Sequence, residues 1–149
     1  MINGIINVYK ERGFTSFDVV AKLRGILHER KIGHTGTLDP EATGVLPVCI
    51  GNATKVCELL TDKDKAYRTV MHLGITTDTQ DMTGTVKEDR SREAALLKEQ
   101  TVEAAILQFV GDYEQIPPMY SALKVNGKKL CDLARAGIEV ERKARTVKI

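Results

Sequence analysis

Tryptophan is absent from this 149-residue chain and aromatic residues are only 5% of it, so most of any core falls to aliphatic side chains. Cysteine is scarce as well. Cys49, Cys57 and Cys131 are an odd number at wide spacings, which argues against a disulfide framework and suits reduced thiols in a reducing compartment. None lies close in sequence to the three histidines, so the spacing of a zinc site is missing and no metal is expected. No apolar run approaches the roughly 20 residues that cross a bilayer. The opening Met1-Ile2-Asn3-Gly4 has no basic region followed by an apolar stretch, so a signal peptide is not expected. These absences together point to a cytoplasmic protein with no membrane contact.

Net charge is also small, at +2, too little to draw a nucleic acid to the molecule as a whole. Its distribution says more. Acidic residues are frequent from Asp78 to Glu114, whereas Lys124, Lys128, Lys129, Arg135, Arg142 and Arg145 crowd the C-terminal part. Lys10, Arg12, Lys22, Arg24, Arg30 and Lys31 form a second concentration. A basic face can supply phosphate contacts on a nearly neutral protein, and an ordinary solvated surface would look the same.

The apolar pattern predicts α+β architecture. Ile5 to Tyr9 reads as a buried strand. Thr15-Ser16 offers a helix N-cap, followed by Val19, Val20, Leu23, Ile26 and Leu27 on one face. Val45 to Ile50 reads as a strand, placed at an edge or made irregular by Pro47. Asn52 is expected to cap a helix through Leu60, and Ala66 to Ile75 to form a strand before a polar loop from Thr76 to Gly84. A helix from Thr101 would place Val102, Ala105, Ile106 and Phe109 together. Ser121 to Val125 reads as a strand, Asn126-Gly127 as a tight turn, Lys128 to Ala136 as a helix closed by Gly137, and Thr146 to Ile149 as the start of a strand.

One segment stands apart. From Gly33 to Gly44 it reads Gly-His-Thr-Gly-Thr-Leu-Asp-Pro-Glu-Ala-Thr-Gly, with glycines and a proline that demand an unusual backbone path. Pro40 pushes Asp39 toward an extended conformation, which limits where its carboxylate points. A carboxylate on a constrained loop suits a catalytic acid. Asp-Pro is equally a common helix start, with Asp39 as cap and Glu41 in the first turn. The loop lacks the Gly-Lys-Ser/Thr end of a phosphate-binding loop and is no Gly-x-Ser-x-Gly elbow.

This segment, with Val45-Leu46-Pro47 and Gly51-x-Ala53-Thr54-Lys55 behind it, resembles the signature of the TruB family of tRNA pseudouridine synthases. The likeness continues in Lys10, Gly13-x-Thr15-Ser16, Lys65-Ala66-Tyr67, Gln115 to Lys124, Gly127-Lys128-Lys129-Leu130 and Ala134-Arg135-x-Gly137. The resemblance implies a mixed, largely antiparallel sheet flanked by helices, with residues 1–149 as a partial catalytic domain whose remainder, and a PUA domain, are absent. It implies isomerisation of uridine 55 in the T-loop of tRNA, without cofactor or metal, by a protein monomeric at full length. Asp39 matches the catalytic aspartate, which acts on a flipped-out uridine. Tyr67 matches the tyrosine that stacks on the target base, and His34 the residue that enters the space the base leaves. Gly36, Thr37, Leu38, Lys65 and Arg68 are then substrate-binding candidates, and Lys10, Lys124, Lys128 and Lys129 candidates for the RNA backbone. An arbitrary tyrosine is more often packed in a core, and a loop histidine is as often bonded to backbone. Glu11 and Cys131 depart from the family pattern, where proline and tyrosine are usual. A non-catalytic RNA-binding module and an inactive fragment are the competing functions.

Overall fold

The computed structural model describes residues 2–61, 63–121 and 123–149. They divide into two compact units, Met1–Arg68 and Thr69–Ile149.

The first unit is a three-stranded antiparallel sheet covered by one helix. Strands β1 (Gly4–Lys10), β2 (Ile32–His34) and β3 (Gly44–Ile50) lie in the order β1-β3-β2, with helix α1 (Ser16–Leu27) between the first two in sequence. Thr15 starts α1 by a reciprocal capping box: its hydroxyl accepts the Asp18 amide at 3.0 Å while Asp18 accepts the Thr15 amide at 2.8 Å. Val19 and Val20 of α1 pack on Ile32, Leu46, Val48 and Ile50, with Val8, Phe14, Leu23, Leu27 and Leu38 around them. Each such aliphatic side chain contributes about 1.5–3 kcal/mol when taken from water. The sheet runs into a 3-10 turn (Gly51–Val56) and a short helix α2 (Cys57–Thr61).

Several expectations for this unit need correction. Ile26 is exposed and stands off the α1 core face. The β1 strand is not buried: Ile5, Ile6 and Tyr9 are exposed, and the sheet turns Val8 and Lys10 inward. The β3 strand is central, although it carries Pro47. Three-residue β2 explains this, because its pairing with β3 reaches only Val48, opposite His34. Pro47 therefore lies just past the end of that ladder, and its carbonyl still accepts the Thr35 amide at 3.1 Å. Asn52 caps nothing; its amide donates to the Asn3 side chain at 2.7 Å. No strand forms from Ala66 to Gly74. The segment has no ladder partner among the described residues and is exposed through Met71, which makes intrinsic β-preference insufficient.

The second unit holds β4 (Ile75–Thr77), β5 (Val86–Asp89), α3 (Ser91–Ala94), α4 (Glu99–Leu107), β6 (Asp112–Gln115), β7 (Lys124–Val125), β8 (Lys128–Lys129), α5 (Leu130–Arg135) and β9 (Arg145–Lys148). Its strands pair antiparallel as β4-β5, β6-β9 and β7-β8. The expected strand from Ser121 shrinks to Lys124–Val125, with Ala122 outside the described residues. Asn126 and Gly127 take φ of 51° and 80° between β7 and β8, the left-handed pair that a type I′ turn requires. The α5 helix starts at Leu130, not Lys128. Gly137, with φ of 71°, ends it: its amide reaches Ala134 O at 2.9 Å and the Ile138 amide reaches Leu133 O at 2.9 Å. The α4 helix begins two residues before Thr101 and ends before Phe109, which instead packs edge-on against Tyr113. The C-terminal strand is as expected and pairs with β6. Among the described residues no helix is long and apolar enough to cross a membrane.

Candidate functional site

The segment between β2 and β3 forms no helix, so Asp39 is not a helix cap. Pro40 and Glu41 instead turn the chain, and the Ala42 amide closes on Asp39 O at 3.0 Å. The residues on both sides of Asp39 are tied to the connection between β1 and α1. Ser16 Oγ accepts the Leu38 amide at 2.9 Å and donates to Leu38 O at 3.3 Å. Pro40 O accepts the Gly13 amide at 2.8 Å and the Lys10 ammonium at 3.3 Å. Arg12 reaches Glu41 across the same turn, with 3.4 Å between Nε and Oε2; both side chains are exposed, so the pair is worth about 0–1 kcal/mol. Asp39 itself is exposed, and among the described residues its carboxylate has neither a hydrogen bond nor an ion pair. The chain fixes its backbone and leaves its oxygens free to meet a ligand.

Lys10 is a correction. Its side chain lies fully buried on the core face of the sheet, and its ammonium is spent on Glu11 O (2.9 Å), Phe14 O (2.7 Å) and Pro40 O. It cannot reach a phosphate, and it serves as an internal tie for the turn.

His34 ends β2 and bonds through Nδ1 to Gly36 O at 2.5 Å. A carbonyl only accepts, so Nδ1 carries the proton of this bond, and Nε2 makes no hydrogen bond among the described residues. A β-carbon on Gly36 would lie 4.0 Å from the Lys65 side chain, which therefore passes over the loop. The Lys65 ammonium donates to Thr61 O at 2.6 Å and Lys63 O at 3.1 Å, closing the end of α2, with one donor left over. Tyr67 is 69% exposed, which removes the core reading of this residue. Thr37 and Arg68 are exposed, and Leu38 is half-buried against the core. The loop thus bonds His34 to Gly36 and brings the Lys65 side chain near Gly36, while Leu38 faces Ser16 and the core. Lys124, Lys128 and Lys129 belong to the other unit, exposed on the β7-β8 hairpin, where Lys124 faces Lys129 across the ladder. Like charges placed opposite repel, and an anion would relieve them.

Sequence reasoning missed Ser16 and Gly13. Both stood in the family-like Gly13-x-Thr15-Ser16 stretch, and Ser16 in the helix start, without a part in the site, and nothing in the local pattern of Ser16 signals a partner 22 positions away.

Comparison with known proteins gives a consistent result. Residues 24–149 match the TruB family pseudouridylate synthase (N terminal domain). The tRNA pseudouridine synthase B of Lachnoclostridium phytofermentans is 66% identical over 148 residues, which is 99% of this chain and 47% of that protein. The protein of the same description from Bacillus pumilus is 53% identical over 149 residues, 100% of this chain and 48% of its own length. The chain therefore spans about half the length of these curated relatives. A chain in the crystal structure of a Cbf5-Nop10-Gar1 complex superposes with a TM-score of 0.58 at 28% identity, over 97% of this chain and 33% of that one.

Proposed function

The chain belongs to the TruB family of pseudouridylate synthases, and from that premise we propose that it is the N-terminal part of a tRNA pseudouridine synthase acting on uridine 55, with Asp39 as the catalytic carboxylate. The observation that carries the reading is the exposed Asp39 side chain, without a partner among the described residues, on a backbone held at both flanking residues. Such a group is placed in advance and needs no desolvation of an existing partner.

The reaction is an isomerisation. The C1′–N1 bond breaks, the uracil turns, C1′–C5 forms, the C5 proton is lost and N1 gains one, so nothing is consumed. Asp39 acts at the ribose. As a nucleophile at C1′ it forms an ester-like bond while the N1 electron pair leaves with the uracil, and attack by C5 then frees the carboxylate. As a base it removes the C2′ proton, the C–H electron pair forming C1′=C2′ as the N1 pair leaves with the uracil, and it returns the proton to C2′ as C5 bonds to C1′. Tyr67 offers its exposed ring to the extruded base, whose lost stacking an aromatic face replaces by about 1–3 kcal/mol. His34 Nε2, directed away from the backbone bond at Nδ1, meets the space the base leaves. Thr37, the Lys65 donor left over and Arg68 meet the nucleotide and its phosphates, and Lys124, Lys128 and Lys129 the RNA backbone elsewhere. The partner is the T-stem-loop, whose unpaired bases can be extruded at lower cost than those of a duplex.

The test is a chimera in which this chain replaces the corresponding segment of the Lachnoclostridium phytofermentans protein, assayed on a tRNA transcript with pseudouridine mapped by position. Conversion at position 55 is expected. Conversion elsewhere, or tight binding without conversion, would overturn the assignment.

A further inference from the structure

We propose that Ser16 is a positioning residue that sets the place of Asp39, an inference that rests on the catalytic reading of that carboxylate. Ser16 is the first residue of α1, and its side chain points inward, 2% exposed. Its single hydroxyl takes both polar groups of Leu38, accepting the amide at 2.9 Å and donating to the carbonyl at 3.3 Å. This is the two-point bracket that a neighbouring strand would supply, provided instead by one side chain. Leu38 in turn packs against the core of the first unit, so the residue before Asp39 is fixed by packing as well as by hydrogen bonds.

On the other side of Asp39, Pro40 O is held by Gly13 and Lys10. The Lys10–Ser16 connection thus grips the chain immediately before and after the carboxylate, with Ser16 holding the upstream side. Removing the hydroxyl would leave the Leu38 amide unpaired and let the backbone before Asp39 drift. The helix start would survive, because Thr15 and Asp18 cap α1 without Ser16.

Placement errors of about 1 Å cost on the order of a hundredfold in rate. In the chimera described above, Ser16→Ala is therefore expected to lower kcat by about 10- to 100-fold while KM stays within about threefold. Ser16→Thr, which keeps the hydroxyl, should retain most of the wild-type kcat. Amide hydrogen exchange gives an independent reading: the Leu38 amide should be protected in the wild type and in Ser16→Thr, and should exchange rapidly in Ser16→Ala. If Ser16→Ala does not fold, Ser16→Cys carries the same expectation, since its longer bond to sulfur displaces the bracket without emptying the site. Asp39→Asn run in parallel separates two failures. Activity in Asp39→Asn overturns the catalytic reading and this role with it. An inactive Asp39→Asn beside a folded Ser16→Ala of unchanged kcat overturns the positioning role alone.

Discussion

Replacing Lys10 by methionine keeps the buried stem and removes the ammonium that three carbonyl oxygens share. Pro40 O retains the Gly13 amide at 2.8 Å, so the Glu11 and Phe14 carbonyls bear the loss. A buried polar group left unpaired costs about 1–3 kcal/mol, which puts two of them near 2–6. Both oxygens are only partly buried and water can relax to them, so a loss of about 2–4 kcal/mol is expected. Urea unfolding of the chain, followed by circular dichroism, would read this as a lower midpoint. The salt dependence of tRNA binding by the chimera provides the contrast. A lysine that touches phosphate lowers the slope of log K against log salt by about one when removed, whereas Lys10→Met should leave it unchanged. An unchanged midpoint together with a slope reduced by one would refute the buried-tie account.

Three further outcomes follow from particular residues. Charge reversal at Lys128 and Lys129 should weaken tRNA binding by the chimera and reduce the salt slope by about two, with little change in stability, because both side chains are exposed on the hairpin. Gly51→Ala should destabilise the first unit by more than about 2 kcal/mol in thermal unfolding, since Gly51 has φ of 61° and an added β-carbon would collide with the Ile2 backbone and the Asn3 side chain. The Asp18 carboxyl is held below its ordinary range by the Thr15 hydroxyl and then the Thr15 amide. The folded chain therefore binds this proton less readily than the unfolded one, so the capping contribution is in force above the ordinary carboxylate pKa, about 4, and is lost as pH falls through the depressed one. Exchange of the Thr15 amide, corrected for the intrinsic pH dependence, should speed up across that acid range.

Where local chemistry decides the backbone, the sequence was readable. The N-cap at Thr15, Asn126-Gly127 between two lysine-bearing strands and Gly137 after α5 each adopt the conformation their residue types demand. Where tertiary partners decide, it was not. Ala66 to Gly74 has the composition of a strand and no ladder to join among the described residues. Pro47 suggested an edge, yet short β2 lets it sit in the central strand. Lys10 looked like a surface cation because lysine usually is one, and only the fold turns it inward onto three carbonyls. The candidate site shows the same division. The loop and its aspartate were recognisable from their residues, whereas the grip of Ser16, Gly13 and Lys10 on either side of Asp39 depends on contacts between segments far apart in the chain.

Asp39→Asn in the chimera is the most direct measurement. The substitution preserves size and the Pro40 turn, and the carboxylate has no protein partner to lose among the described residues, so folding and tRNA affinity should be nearly unchanged. Pseudouridine at position 55 should fall below detection. Turnover near the wild-type rate from the folded variant would contradict the central claim.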